Sequence, residues 1–120
     1  MEKTVITDNM LSVLESLMPP DPDDVAHRMA DDFRRRRIEK SLTREMLARQ
    51  SGVALANITR FEQKGAVSLG NLIRLAIALG YVSELKSVFA APKYTTMDEL
   101  TRIRRNASKK RAHSPRKKKP

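Results

Sequence analysis

Apolar residues recur along this chain at intervals of three and four, in short runs that each end at a glycine, a proline or a polar break. Met10, Val13, Leu14, Leu17 and Met18 form the first stripe, with Asp8 or Asn9 as candidate cap and Pro19-Pro20 as the stop. A helix of about ten residues is marginal on its own, so this one is expected to dock on its own domain, a sister subunit or a partner. The second stripe opens at Asp23 and Asp24, whose charges suit a helix N-terminus. It carries Val25, Met29, Ala30, Phe33 and Ile38 roughly along one face and ends near Lys40. Thr43 is the expected cap of a third helix, with Leu47 and Ala48 inward and a break at Ser51-Gly52. The next runs from about Leu55 to Gln63, with Ile58 and Phe61 inward, and stops at Lys64-Gly65. Ser68 then opens a helix whose Leu69, Leu72, Ile73, Leu75, Ala76 and Leu79 are expected to supply most of the core, closed by Gly80. Ser83 caps a further one carrying Leu85, Val88 and Phe89 before Pro92. Thr96 and Glu99 stand in capping-box relation and predict a short helix to about Arg105. Only Thr4 to Thr7 hints at a strand, so the predicted class is all-α.

A chain of 120 residues has single-domain length, or that of a small domain with arms at its ends. The pattern divides it into an N-terminal arm with a short helix (1–20), a helical domain (21–91), a short C-terminal helix (92–105) and a basic tail (106–120). The absence of Cys excludes a disulfide scaffold and a Cys-based zinc site, and suits an intracellular compartment. Uninterrupted apolar runs are far shorter than the roughly 20 residues a membrane span needs. The chain does not open like a secretory signal.

The net charge of +10 is unevenly placed. Residues 1–101 hold 14 Lys/Arg against 14 Asp/Glu, whereas residues 102–120 hold 10 Lys/Arg and no acid. Such a block repels itself and has almost nothing apolar to bury, so it is expected to be disordered. It reads as a solubilising tail or as an arm for polyanions, gaining affinity as each neutralised phosphate releases its counterions. No acylation signal or apolar helix face accompanies it to favour a membrane.

The informative stretch is SLTREMLARQSGVALANITRFEQKG, Ser41 to Gly65. Two helices of about eight residues flank a tight turn at Gly52, the layout in which one helix braces across a phosphate backbone and the next lies in the major groove. Here the chain resembles the phage-repressor (Cro-like, XRE) helix-turn-helix family, from Asp24 to about Phe89. The resemblance rests on Leu47-Ala48, Gly52-Val53, Ile58 and Glu62. It implies a five-helix Cro-like helix-turn-helix domain, here with an N-terminal helical arm and a disordered basic C-terminal tail. It also implies a cytoplasmic, nucleoid-associated bacterial protein acting on double-stranded DNA.

By that resemblance Arg44 matches a phosphate-binding position, while Leu55, Ala56, Asn57, Thr59 and Arg60 match the exposed face of the recognition helix, with Lys64 at its end. Arg60 can fork onto guanine O6 and N7, and Asn57 onto adenine or a phosphate. Leu55 and Ala56 have no side-chain donor and can read only shape or a thymine methyl. Arg37 matches a family arginine that pairs with the glutamate represented by Glu62, a structural tie and not a DNA contact. Two features depart from the family: Ala54 stands where Ser or Thr usually caps the recognition helix, and that helix's outer face is unusually apolar.

A narrower likeness lies in FEQKGAVSLGNLIRLAIALG and SELKSVFAAPKYTTMDEL, which resemble HipB-type antitoxins, Cro-like regulators encoded with HipA-type Ser/Thr kinase toxins. It implies a homodimer that represses its own operon and binds a HipA-like toxin kinase or its accessory subunit. The expected dimer surface is Tyr81, Val82, Leu85, Val88 and Phe89. The rival readings are a toxin- or partner-binding module with little specific DNA binding, a repressor of a phage or mobile element, and a general nucleic-acid protein led by the tail.

Other signals point to no chemistry. His27 and His113 lack metal-ligand spacing, and Asp21, Asp23 and Asp24 lack the glycine and closing glutamate of a calcium loop. No phosphate-binding glycine loop or Ser–His–Asp set can be assembled. The six Met residues read as core fillers and arm anchors. No cofactor, metal or enzymatic activity is expected.

Overall fold

The computed structural model describes residues 8–111, and the hint of strand at Thr4 to Thr7, His113 and the tail from residue 112 lie outside them. The described residues form seven helices and no strand: α1 (Asp8–Leu17), α2 (Pro22–Glu39), α3 (Arg44–Ser51), α4 (Leu55–Lys64), α5 (Leu69–Leu79), α6 (Val82–Lys86) and α7 (Met97–Asn106). The chain divides into two compact units, residues 1–85 and residues 86–120.

In the first unit, α2 packs on α4, and α3 on both α4 and α5. Ala30 and Phe33 of α2, Leu47 of α3, Ile58 and Phe61 of α4, and Leu75 and Leu79 of α5 meet in one core. The Phe33 and Phe61 rings are tilted against each other with centroids 5.0 Å apart. Val53, in the turn between α3 and α4, is buried in that core as well, a role its position between helices did not suggest.

The helix ends follow from cap chemistry. The hydroxyls of Thr43 and Ser68 accept hydrogen bonds from the Met46 and Asn71 amides, at 3.1 and 3.2 Å. Gly52, Gly65 and Gly80 close α3, α4 and α5 in the left-handed region. Gly65 is doubly required: a Cβ there would lie 3.1 Å from the backbone carbon and Cβ of Ala26. Ser41 takes the same left-handed conformation after α2 without a glycine's freedom.

Several expectations need correction. The second helix opens at Pro22, not Asp23, because the Asp21 carboxylate caps it by accepting from the Asp23 amide. Val25, Met29 and Ile38 stay exposed on it, and Leu69 and Ile73 on α5, since no other element covers those flanks. Helix α6 begins at Val82 without a Ser83 cap and ends at Lys86, leaving Val88 and Phe89 beyond it and exposed. The five described methionines are not core fillers: Met10, Met18, Met29, Met46 and Met97 are all exposed, and Met1 lies outside the described residues.

In the second unit, the Thr96 hydroxyl caps α7 by accepting from the Glu99 amide at 3.1 Å. The Glu99 carboxylate returns to the amide and hydroxyl of Thr95, one residue before the partner a capping box would use. Asp98 and Glu99 in the first turn and Arg104 and Arg105 in the last complement the helix dipole.

Candidate nucleic-acid interface

The helix-turn-helix is assembled by three local devices. Gly52, at φ +74°, turns the chain out of α3. The Ser51 hydroxyl then accepts from the Val53 amide at 3.2 Å, holding Val53 so that its side chain plugs the core. Ala54 begins α4 in extended conformation with no side-chain cap, which leaves amide donors free at the start of that helix.

Helix α4 is divided lengthwise. Ile58, Phe61 and Glu62 are buried, so helical spacing sends Leu55, Ala56, Asn57, Arg60, Gln63 and Lys64 to the surface, with Thr59 partly covered. Leu55, Ala56, Thr59, Arg60 and Lys64 line one shallow depression together with Gln63, which the sequence reading left out. The three-and-four spacing from Ala56 through Thr59 and Arg60 reaches Gln63 and was the available signal.

A second depression lies on the other flank, where Asn57 and Arg60 meet Ala66, Val67, Ser68 and Asn71. Sequence reasoning missed both Ser68, which was accounted for as the cap of α5, and Asn71, which lines this depression with Arg60. Helix α5 begins there with no acidic residue in its first turn, so its N-terminal amides add positive potential beside Arg60. Arg60 is exposed and belongs to none of the ion pairs among the described residues.

Behind this face sits a cluster of three charges. Arg37 donates from Nε to Glu62 Oε2 at 2.7 Å and from Nη2 to Oε1 at 2.9 Å, and its Nη1 reaches the Leu42 carbonyl at 2.8 Å. Arg44 donates from Nε to the same Oε1 at 3.1 Å. The Glu62 side chain is 1% exposed, that of Arg37 9% and that of Arg44 32%. Burial alone would raise the Glu62 pKa, but hydrogen bonds from Arg37 and Arg44, with their charges, outweigh it and hold the carboxyl below its ordinary value. The geometry therefore ties α2, α3 and α4 together at one carboxylate. It also places Arg44 partly inside this cluster, while its outer edge remains open to solvent.

Tyr81 and Leu85 line an apolar groove in the first unit, Val82 is half-buried, and Val88 and Phe89 belong to the second unit, where both are exposed. Among the described residues no group of His, Asp or Glu could hold a metal ion, and no helix is long and apolar enough to cross a membrane.

No curated protein and no solved structure matches the chain. Residues 33–86 match a family model described as helix-turn-helix, a DNA-binding regulatory family and not a family of enzymes. The segment that builds the divided helix α4, its brace α3 and the core behind them is thus similar to the Cro-like, XRE-type helix-turn-helix domains, the DNA-binding parts of transcription regulators.

Proposed function

We propose that the protein is a sequence-specific repressor that binds its own promoter as a homodimer and serves as the antitoxin of a HipA-type kinase. The observation that carries the DNA part is the outer face of α4, where Arg60 stands unpaired between Asn57, Ser68 and Asn71 on one side and Leu55, Ala56, Thr59, Gln63 and Lys64 on the other. Arg60 and Asn57 read base edges, Arg44 and Lys64 hold phosphates, and Leu55 and Ala56 meet the groove wall. With Leu55 and Ala56 taking up part of that face without a donor, much of the affinity comes from the backbone, including the basic tail.

A homodimer places two copies of α4 about 34 Å apart, one turn of duplex. The supporting feature is the run of apolar residues at Tyr81, Val82, Leu85, Val88 and Phe89, which the first unit's core does not consume. The antitoxin reading draws on the HipB-like sequence of residues 61–80 and 83–100, and it places the protein in the cytoplasm. Footprinting on the DNA upstream of the gene tests the first part: two protected half-sites one helical turn apart support it, and uniform protection along the fragment rejects it. Co-expression with the neighbouring gene tests the second: relief of growth arrest together with co-purification of a kinase supports it, and a non-kinase neighbour rejects it.

A further inference from the structure

Helix α1 has an amphipathic surface that its own domain does not use. At 100° per residue, Met10, Leu11, Val13, Leu14 and Leu17 fall on one side, and Asn9, Ser12 and Ser16 on the other. Every one of those apolar side chains is exposed, from 44% at Leu11 to 76% at Leu17, and Met18 continues the stripe at 68%. A solvent-facing stripe of five large apolar side chains on a ten-residue helix, continued by Met18 just beyond it, is a docking surface, because so short a helix is marginal without a partner.

The same unit carries a matching groove. Met29 and Phe33 of α2, Leu72 and Leu79 of α5, Tyr81 and Leu85 wall an apolar groove of about 220 Å³. That is below the 300–1,000 Å³ of small-molecule sites and suits a few side chains of a helix. Arg36, also on its wall, buries its Nε without a hydrogen-bond partner. Asp32 on the rim is already paired with Arg28 and Arg35, and Arg36 pairs through Nη2 with Glu39 at 3.0 Å, so only its Nε lacks an acceptor, with Glu84 also on that wall. Helix α1 ends in carbonyls that no basic residue in its last turn answers.

The connection between α1 and α2 decides whose groove is filled. It runs Met18-Pro19-Pro20-Asp21, followed by Pro22 as the first residue of α2. Three prolines fix their own φ and push Met18, Pro19 and Asp21 toward extended conformation, and Asp21 is extended at φ −99°, ψ 123°. Four residues of this kind form a strut of about 12 Å, not the reversal that an antiparallel helix pair requires. A stiff hinge that holds an apolar element off its own domain favours exchange between copies.

We propose that two copies of this chain exchange their N-terminal helices, α1 of each lying in the groove formed by α2, α5, Tyr81 and Leu85 of the other. The inference rests on the homodimer proposed above but not on DNA binding, and it assigns to the arm the contact that closes the dimer.

The chain has no Cys, so introduced thiols report cleanly. The test mixes full-length L14C and M29C chains under mild oxidation and also oxidises the L14C/M29C chain alone; both positions are exposed, so the fold tolerates them. A mixed disulfide dimer of one L14C and one M29C chain, together with linked dimers of the double variant, is expected. An internal link in monomers of the double variant, or no link at all, overturns the exchange. In parallel, light scattering at tens of micromolar should show the wild-type dimer and a mainly monomeric L14D/L17D chain, the dissociation constant rising at least tenfold. A variant that stays fully dimeric overturns the exchange while leaving the homodimer standing, and a monomeric wild type overturns both.

Discussion

Arg37 of α2 holds Glu62 of α4 through two parallel hydrogen bonds, at 2.7 and 2.9 Å, and the carboxylate they grip is almost completely closed off from water. Two charges this deep are kept by mutual neutralisation and by geometry, because removing either leaves the other desolvated and unpaired. The fork fixes where α4 lies along α2, and with it the direction in which Arg60 projects.

Arg37→Met is therefore expected to destabilise the domain by about 3 kcal/mol, at the low end of the cost of breaking a buried pair because Arg44 still serves Glu62. Arg37→Met with Glu62→Leu should recover most of that loss, since two apolar side chains carry no desolvation cost. Urea unfolding of the three proteins measures both values, and a single variant within 0.5 kcal/mol of the parent, on the order of an ordinary surface change, would show that the pair does not hold the helices.

Glu62 also gives the domain a pH response. Its folded pKa lies below its ordinary 4.5, so its stabilising contribution is present above that value and is lost as pH falls through the folded pKa. Thermal melts of the parent should thus decline below about pH 4.5 more steeply than those of Glu62→Gln, whose amide does not titrate. Parallel declines in the two proteins would remove Glu62 from the account.

Ala54 leaves the start of the recognition helix without a side-chain cap. Ala54→Ser supplies the missing acceptor and should raise stability by about 1 kcal/mol. The hydroxyl would occupy amides that face the nucleic acid in the proposed complex, so affinity for DNA should change little or fall while the melting temperature rises. Differential scanning calorimetry reads the first quantity and a filter-binding titration the second.

Much of this architecture was legible in the sequence because it is written in local chemistry. Thr43 and Ser68 cap, and Gly52, Gly65 and Gly80 terminate, through contacts within a few residues, so the helices could be placed before any packing was known. The fate of particular apolar residues was not local. Leu69 and Ile73 have the same helical spacing as Leu75 and Leu79, and only the position of α3 decides which pair is covered. Val53 looked like a turn residue until the turn itself was seen to face the core. Ser68 and Asn71 line the same depression as Arg60 from across a loop, and Arg44 meets Glu62 from 18 residues away, distances over which periodicity says nothing.

In the proposed complex the basic tail adds affinity without sequence choice. Removing residues 107–120 takes away seven Lys/Arg. Each phosphate contact so lost should flatten the dependence of log K on log salt by about 0.9. Titrations across salt concentrations should show weaker binding and a shallower slope, with preference for upstream DNA over unrelated duplex preserved. Loss of that preference would move the recognition from α4 to the tail.

Base reading by α4 rests most directly on Arg60, an unpaired cation on its exposed face. Equilibrium binding to upstream DNA and to unrelated duplex of equal length, for the parent and for Arg60→Ala, measures its role. The expected result is a loss of about 1–3 kcal/mol on the upstream DNA, roughly 5- to 150-fold, and a much smaller loss on the unrelated duplex. Equal losses on both, or none on either, would contradict the claim that this helix reads base pairs.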